Sequence, residues 1–389
     1  MTALRMVQSS HGLERAEEAL ATAAEFADSV DRENRFPAET VKALKRMGLL
    51  SIAIPVDLGG EGASLGELCT IAQGLGGACA STGMIFAMHQ ICLANLLDCA
   101  MDSEWHRDLA RRMLAEPLLF ASATTEGGVG GDLRQSICAV ERQGDRIVLS
   151  KDASVISYGE YADAIFATAR RDADAALSDQ VLVVLMKEQC ELDRTSTWDT
   201  LGMRGTCSHG YRLKAQAGAC QIMPKQFADI AADSMVAISH LLWSSVWCGI
   251  AAAALCRAQT YVAARARNAS GQVPAGAMRL AEIFGRLQSI EASINSVLEQ
   301  WERARHHPTF AVALAVNALK LSVSTEALNV VNDALLICGL QGYKNGGPYS
   351  VGRHLRDIHS ARLMISNERI AAATGQLMLM QRRRARREK

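Results

Sequence analysis

The sequence predicts an α+β chain: a helical segment, then a β segment, then a second helical segment. Three observations predict it. From Gly12 to about Glu116, apolar residues recur every three to four positions. From Leu118 to about Met223, short β-prone runs alternate with polar or glycine punctuation. From Pro224 onward the helical spacing returns. Strands and helices do not alternate, which argues against a doubly wound dinucleotide-binding fold. The expected domains are 1–117, 118–223 and 224–389.

In the first segment, Ala16, Ala19-Leu20, Ala23-Ala24 and Phe26-Ala27 trace one helix face. Pro37 suits the start of a helix carrying Ala38 to Leu44, because its fixed φ is pre-organised for a first turn. Further helices are expected over about 65–77 and 81–99. In the middle segment, Arg146–Leu149, Ala164–Ala169 and Gln180–Leu185 read as antiparallel strands. Four helices follow, over about 227–267, 276–305, 308–340 and 356–382.

The chain has 389 residues, enough for two or three domains and a large core. Its 49% hydrophobic and 21% charged content is that of an ordinary globular protein. Forty-one basic residues balance 41 acidic ones, so overall charge gives no reason to expect a nucleic-acid partner. The basic run Gln381–Arg387 reads either as a solvated terminus or as a handle for a phosphate-bearing or acidic partner. The apolar window Met235–Leu255 is interrupted by Ser239, His240 and Ser244-Ser245, so it reads as a buried bundle helix, not a membrane span. The 11 cysteines form no CxxC pair, which argues against disulfides and structural zinc. Cys92, Cys248 and Cys256 are expected as small core residues. No metal or membrane partner is expected, and the expected compartment is the cytoplasm.

The most informative stretch is Thr124-Thr125-Glu126-Gly127-Gly128-Val129-Gly130-Gly131-Asp132. Glycines let a backbone approach a flat polar group closely, and successive N–H groups can cradle anions or ring oxygens. The loop resembles the flavin-contacting Thr-Glu-Pro-x-x-Gly-Ser-Asp signature of the acyl-CoA dehydrogenase superfamily. Thr125-Glu126, Gly130 and Asp132 match, while Gly127 and Gly131 replace Pro and Ser. The likeness continues through Ile156-Ser157, Leu201-Gly202-Met203-Arg204-Gly205-Thr206, Gly342-Tyr343 and Arg353…Arg356-Asp357. It also takes in Phe36-Pro37, Gly48-Leu49-Leu50 and Gly59-Gly60-x-Gly62, and so covers nearly the whole chain.

The resemblance implies an N-terminal helical domain, a central antiparallel β-barrel-like domain and a C-terminal four-helix bundle, assembled as a homodimer or homotetramer. It implies FAD, with Thr124, Thr125, Gly130, Gly131, Ile156 and Ser157 around the isoalloxazine. Thr125 falls at the pyrimidine edge and Ser157 at the N5 side. Val155 stands where the family has a covering aromatic, and Tyr158 is a candidate to compensate. Glu126 is expected to brace the glycine loop. The family's Arg-x-x-Phe-Gly diphosphate motif keeps Arg265, but Asn268-Ala269 replace Phe-Gly and Gly276 replaces a downstream Gln. Asn367 replaces a cofactor-touching Thr. A weakened FAD site follows.

The catalytic base departs further. The usual Glu position, eight residues after Asp357, is Ile365, and the alternative position on the helix entering the bundle is Ser239. Glu368, one helical turn past Ile365, is one substitute or else a solvated helix glutamate. His240 is the other, or else a satisfied core histidine. His89 reads as core packing or as a residue near the substrate entrance. The Gly202–Thr206 turn reads as structural or else catalytic, with Arg204 a candidate to hold the loops of the β segment against the substrate channel. The implied reaction is α,β-desaturation of an acyl thioester, linked to CoA or to an acyl or peptidyl carrier protein, with hydride passing to flavin N5. An electron-transfer partner then removes the electrons. The alternative is a monooxygenase on the same fold, fed reduced flavin by a flavin reductase and using a C4a-hydroperoxide.

Overall fold

In a computed structural model, which describes residues 11–130, 132–266, 274–305 and 309–387, the chain divides into two compact units. One comprises Met1–Ile71, Met84–Thr200 and Arg204–Ser239, and the other Ala72–Gly83, Leu201–Met203 and His240–Lys389. Helices α1 (His11–Glu33), α2 (Ala38–Arg46), α3 (Leu65–Ala78), α4 (Ala80–Cys99) and α5 (Glu104–Ala115) come first. Of the stripe read from the sequence, Ala16, Ala19, Ala23 and Ala27 are each at most 4% exposed on the buried face of α1, Leu20 and Phe26 are half-buried, and Ala24 faces outward. Pro37 precedes α2 as expected, and Arg35 meets Glu39 at 2.9 Å across its first turn.

Among the described residues seven strands follow: β1 (Phe120–Ala123), β2 (Glu141–Gln143), β3 (Arg146–Ile156), β4 (Ala164–Arg170), β5 (Gln180–Met186), β6 (Cys190–Ser196) and β7 (His209–Gly218). They form two open sheets, ordered β1-β4-β5 and β2-β3-β7-β6, and neither closes into the barrel-like form expected. The pairing is not wholly antiparallel either. β1 runs parallel to β4, Phe120 opposite Ala164, which the long excursion through β2 and β3 permits. β4 and β5 are buried on both faces, so they read as continuous apolar runs, whereas β3 and β7 alternate inward and outward. Phe120, Phe166, Leu182 and Val184 of the small sheet pack with Leu93, Leu96 and Met113 of α4 and α5 in one core cluster.

After β7, α6 (Phe227–Ile230) passes through a π-helical turn, Ala231–Met235, into α7 (Val236–Ala266). α8 (Ala277–Ala304) and α9 (Phe310–Cys338) follow close to their expected limits. The single helix expected over 356–382 is instead divided. α10 (Leu340–Tyr343), α11 (Gly352–Ile358) and α12 (Ser360–Leu363) precede α13 (Asn367–Arg387). The break before α13 centres on Ile365, whose φ of +48° lies in the left-handed region. Gly76 and Gly249 set the approach of α3 to α7. A Cβ on Gly76 would lie 2.4 Å from Val246 O, and one on Gly249 would lie 1.9 Å from Gln73 O.

Among the described residues all 11 cysteines are free. Cys92 and Cys248 are buried as expected, but Cys256 is exposed, because its position on α7 faces outward. Among the described residues, three helical stretches are long and apolar enough to cross a membrane by length and composition. The apolar windows of Ala80–Cys99 and Phe227–Ala266 are each 83% buried within the protein, and that of α9 is 39% buried.

Candidate functional site

The glycine loop leaves β1 and bonds to the second half of β3. Gly127 N–H donates to Asp152 O at 2.9 Å, and Gly128 and Gly130 take positive φ of 87° and 60°. Its anchor is Glu126, 5% exposed. One carboxylate oxygen accepts from Cys138 N–H at 2.6 Å. The other accepts from the Ser136 hydroxyl at 2.7 Å, Ile137 N–H at 3.1 Å and the Lys151 ammonium at 3.0 Å. Lys151, 1% exposed, also donates to Thr168 O at 2.9 Å. Burial pushes the Glu126 carboxyl up, but Ser136, Lys151 and Cys138 together outweigh it and hold the group below its ordinary value. Glu126 is therefore the brace the sequence suggested.

Thr125 meets β3 at Val155, two residues before Ser157. The Thr125 hydroxyl donates to Val155 O at 3.0 Å and accepts from Val155 N–H at 3.4 Å, tying the loop to β3. The β3–β7 register shifts between Ala153 and Ile156, and such an irregularity re-aims side chains. Ser157 Oγ lies 2.8 Å from Ser208 Oγ, which lies 2.8 Å from Thr206 Oγ1. Sequence reasoning missed Ser208 in this chain of hydroxyls. Thr124, Thr125 and Ser157 are half-buried, Gly130 is exposed and Ile156 is sealed. Gly131 lies outside the described residues.

This donor set fits a flavin. The half-buried hydroxyls of Thr125 and Ser157, the glycine backbone that follows Thr125 and the apolar Val155 are the kinds of group that suit a flat ring with polar edges. Thr125 and Ser157 would hold those edges. Tyr158 does not replace the missing aromatic. It is 0% exposed at φ +44°, with its hydroxyl donating to Phe120 O at 2.9 Å and burial raising its pKa well above the usual tyrosine value. His89 is a core residue: Nε2 donates to Leu50 O at 2.7 Å and Nδ1 accepts from Phe120 N–H at 3.0 Å. Burial lowers its pKa to about 4. Arg204 donates to Asp31 O at 2.8 Å and Thr200 O at 3.0 Å, so it is spent on structure.

In the second unit, the Leu201–Met203 turn is fixed by Met203 N–H donating to the buried Asp357 carboxylate at 2.7 Å. His240, 4% exposed, places Nδ1 3.3 Å from Val316 O of α9. A carbonyl only accepts, so Nδ1 carries the proton and Nε2 the lone pair. Burial, and then the charge of Lys320, lower this imidazole's pKa to about 4. Glu368 is exposed on the first turn of α13, as a solvated helix glutamate would be. Asn367 Oδ1 accepts from the Lys320 ammonium at 2.6 Å, and its Nδ2 donates to Ser324 Oγ at 3.0 Å. Lys320 was overlooked in the sequence, although it is the only charged residue between Phe310 and Thr325.

Arg265 is exposed and donates to the Tyr261 hydroxyl at 2.7 Å. Asn268 and Ala269 lie outside the described residues. Gly276 caps the start of α8 at φ +93°. Among the described residues no group of histidine, cysteine and carboxylate side chains could hold a metal ion.

Comparison with known proteins accords with this arrangement. Residues 13–115 match the model of the acyl-CoA dehydrogenase N-terminal domain, and residues 231–365 that of the C-terminal domain. The amino sugar nitrososynthase DnmZ of Streptomyces peucetius is 26% identical over 86% of this chain and 84% of its own length. The probable acyl-CoA dehydrogenase YngJ of Bacillus subtilis is 26% identical over 88% of each chain. FMN-bound TdsC of Paenibacillus sp. A11-2, a dibenzothiophene monooxygenase, superposes with TM-score 0.85 at 19% identity. That match covers 96% of this chain and 98% of TdsC. With both family domains present in order around a flavin-suited hydroxyl and glycine set, the chain belongs to the acyl-CoA dehydrogenase superfamily of FAD-dependent oxidoreductases.

Proposed function

We propose that the protein desaturates an acyl thioester between its α and β carbons, with His240 accepting the α-proton. One observation carries this reading: His240 is a buried imidazole with Nδ1 committed to Val316 O and its lone pair left on Nε2. With a pKa of about 4, it is unprotonated at neutral pH and as ready to accept a proton as an ordinary carboxylate. It also adjoins Ser239, the alternative base position. FAD, when bound, supplies the acceptor for the β-hydride. The Thr125 and Ser157 hydroxyls orient its ring edges, and the Glu126–Lys151 pair keeps the glycine loop in register. The likeness to YngJ supports this reaction class. The thioester is carried by CoA or by an acyl or peptidyl carrier protein, the reduced flavin is reoxidised by an electron-transfer partner, and the working form is a homodimer or homotetramer.

The test is the rate of flavin reduction in a single turnover. His240→Gln should slow it at least about a hundredfold with flavin still bound, as loss of a general base does, while Glu368→Gln should leave it unchanged. The opposite pattern would return the role to Glu368.

A second reading is favoured by Ile365, a hydrocarbon side chain at the usual base position. On this reading the protein accepts reduced flavin from a reductase and oxygenates its substrate, needing no α-proton base. The likeness to DnmZ and the fold shared with TdsC support it. Oxygen consumption coupled to product, with NADH and a flavin reductase supplied, distinguishes it from the first.

A further inference from the structure

A polar seam joins α13 to α9. Asn317, Lys320 and Ser324 are three and four residues apart and so share one face of α9. The Lys320 ammonium donates to Ile365 O at 3.0 Å and to Asn367 Oδ1 at 2.6 Å. Asn367 Nδ2 donates to Ser324 Oγ at 3.0 Å, and Asn317 Nδ2 donates to Thr374 Oγ1 at 3.1 Å. Apolar burial adds little. Of the side chains described on α13, Ile370 alone is buried, Thr374 and Leu377 are half-buried, and Met378 and Leu379 are 57% and 66% exposed. A helix attached by hydrogen bonds, with few buried apolar contacts, belongs to the low-stability end of a fold. Its root is strained as well. Ile365, between α12 and α13, holds φ at +48°, which its β-branched side chain disfavours and only its surroundings impose.

We propose that α13 is a hinged arm that opens from α9 about the turn at Ile365, with Lys320 as the latch of its docked state. This goes beyond the reaction proposed above and rests on neither reading of it. Lys320 is 0% exposed, its ammonium stands 5.7 Å from the centroid of the Trp247 ring, and among the described residues no carboxylate lies within ion-pairing distance of it. The charged and titratable groups on the neighbouring elements leave it alone. His240 of α7 is unprotonated, and Arg286 of α8 is paired with Glu326 of α9. Arg362 of α12 and Glu368 and Arg369 of α13 are exposed, and Asp357 of α11 accepts from Met203 N–H. Docking below the lysine's pKa therefore desolvates a lone charge. Burial lowers the docked value to about 8, against about 10.4 for a free lysine. Between those values the docked state holds fewer protons than the open one, so docking tightens as pH rises through them. The neutral amine still has an N–H for each of the two oxygens.

The experiment is native-state proteolysis at low subtilisin concentration between pH 7 and 9.5, with cuts inside 371–379 located by mass spectrometry. Rates are divided by those of a free peptide of the same sequence at each pH, and the melting temperature is recorded alongside. Where reclosing outpaces cleavage, this ratio reads the population of the open arm. Wild-type protection should rise at least about tenfold from pH 7 to 9.5. Lys320→Met should show no such rise. Asn317→Ala, farther along the seam, should lower arm protection about fivefold through one lost hydrogen bond, with the alkaline rise and the melting temperature kept. Flat wild-type protection, a rise that persists in Lys320→Met, or arm cuts no faster than cuts inside α8 would overturn the proposal. If Lys320→Met fails to fold, the wild-type profile and Asn317→Ala decide the matter, and unchanged arm protection in Asn317→Ala refutes the seam. Neither flavin nor thioester enters the assay, so failure here and failure of the dehydrogenation reading remain separate results.

Discussion

Replacing Lys151 by Met would leave the Glu126 carboxylate charged, sealed and without its counter-ion. At 3.0 Å and an effective dielectric near 20, the lost attraction is on the order of 5 kcal/mol. Removing one partner of a buried pair costs about 3–5 kcal/mol in practice. The three hydrogen bonds from Ser136, Ile137 and Cys138 persist, which places the expected loss toward the lower end. At roughly 2–4 °C per kcal/mol, the melting temperature should fall by about 6–20 °C. The assay is thermal and urea unfolding followed by far-ultraviolet circular dichroism, with FAD retention measured in parallel. pH supplies a sign check. Glu126 has its pKa depressed in the folded state, so its contribution is complete above the unfolded carboxyl pKa and is lost as pH falls through the lower folded value. Lys151→Met should therefore approach wild type as the solution is acidified. A loss below about 1 kcal/mol at pH 7, or one that grows on acidification, would refute the brace.

Two further outcomes follow. His89 must stay neutral between Leu50 O and Phe120 N–H; with a folded pKa of about 4 against about 6.5 unfolded, its contribution is complete above pH 6.5 and is lost as pH falls toward 4. His89→Gln should flatten the stability–pH curve in that window by up to about 3 kcal/mol, and an unchanged slope would remove His89 as its source. Ser157→Ala should slow flavin reduction and shift the flavin absorption spectrum; an identical rate and spectrum would detach Ser157 from the ring.

What the sequence made legible follows from local rules. The Ala stripe of α1, Pro37 before α2 and the glycine loop are all signals carried within a few residues. The β-segment was harder. β6 is largely exposed and polar, so it lacks an apolar alternation, and the parallel β1–β4 pairing depends on partners about 40 residues apart. Lys151 could have been found. It shares the inward phase of β3 with Ile147, Leu149 and Ala153, and a lysine in that phase requires a buried acceptor, which Glu126 supplies. Lys320 gave a similar signal as a lone charge in an apolar helix. The break before α13 gave none: no glycine or proline marks residues 364–366, and the left-handed Ile365 is held by Lys320 from a distant helix. Cys256 misled because its local run is apolar while its own direction on α7 is outward.

The most direct test of the central claim is anaerobic mixing of the FAD-loaded protein with a panel of CoA- and carrier-protein-bound acyl thioesters, following the visible absorbance of oxidised flavin. Dehydrogenation predicts that at least one thioester bleaches the flavin, and that His240→Gln slows the bleaching. Absence of bleaching by every thioester, with bleaching only by an externally supplied reductant, would contradict dehydrogenation and leave the oxygenase reading in its place.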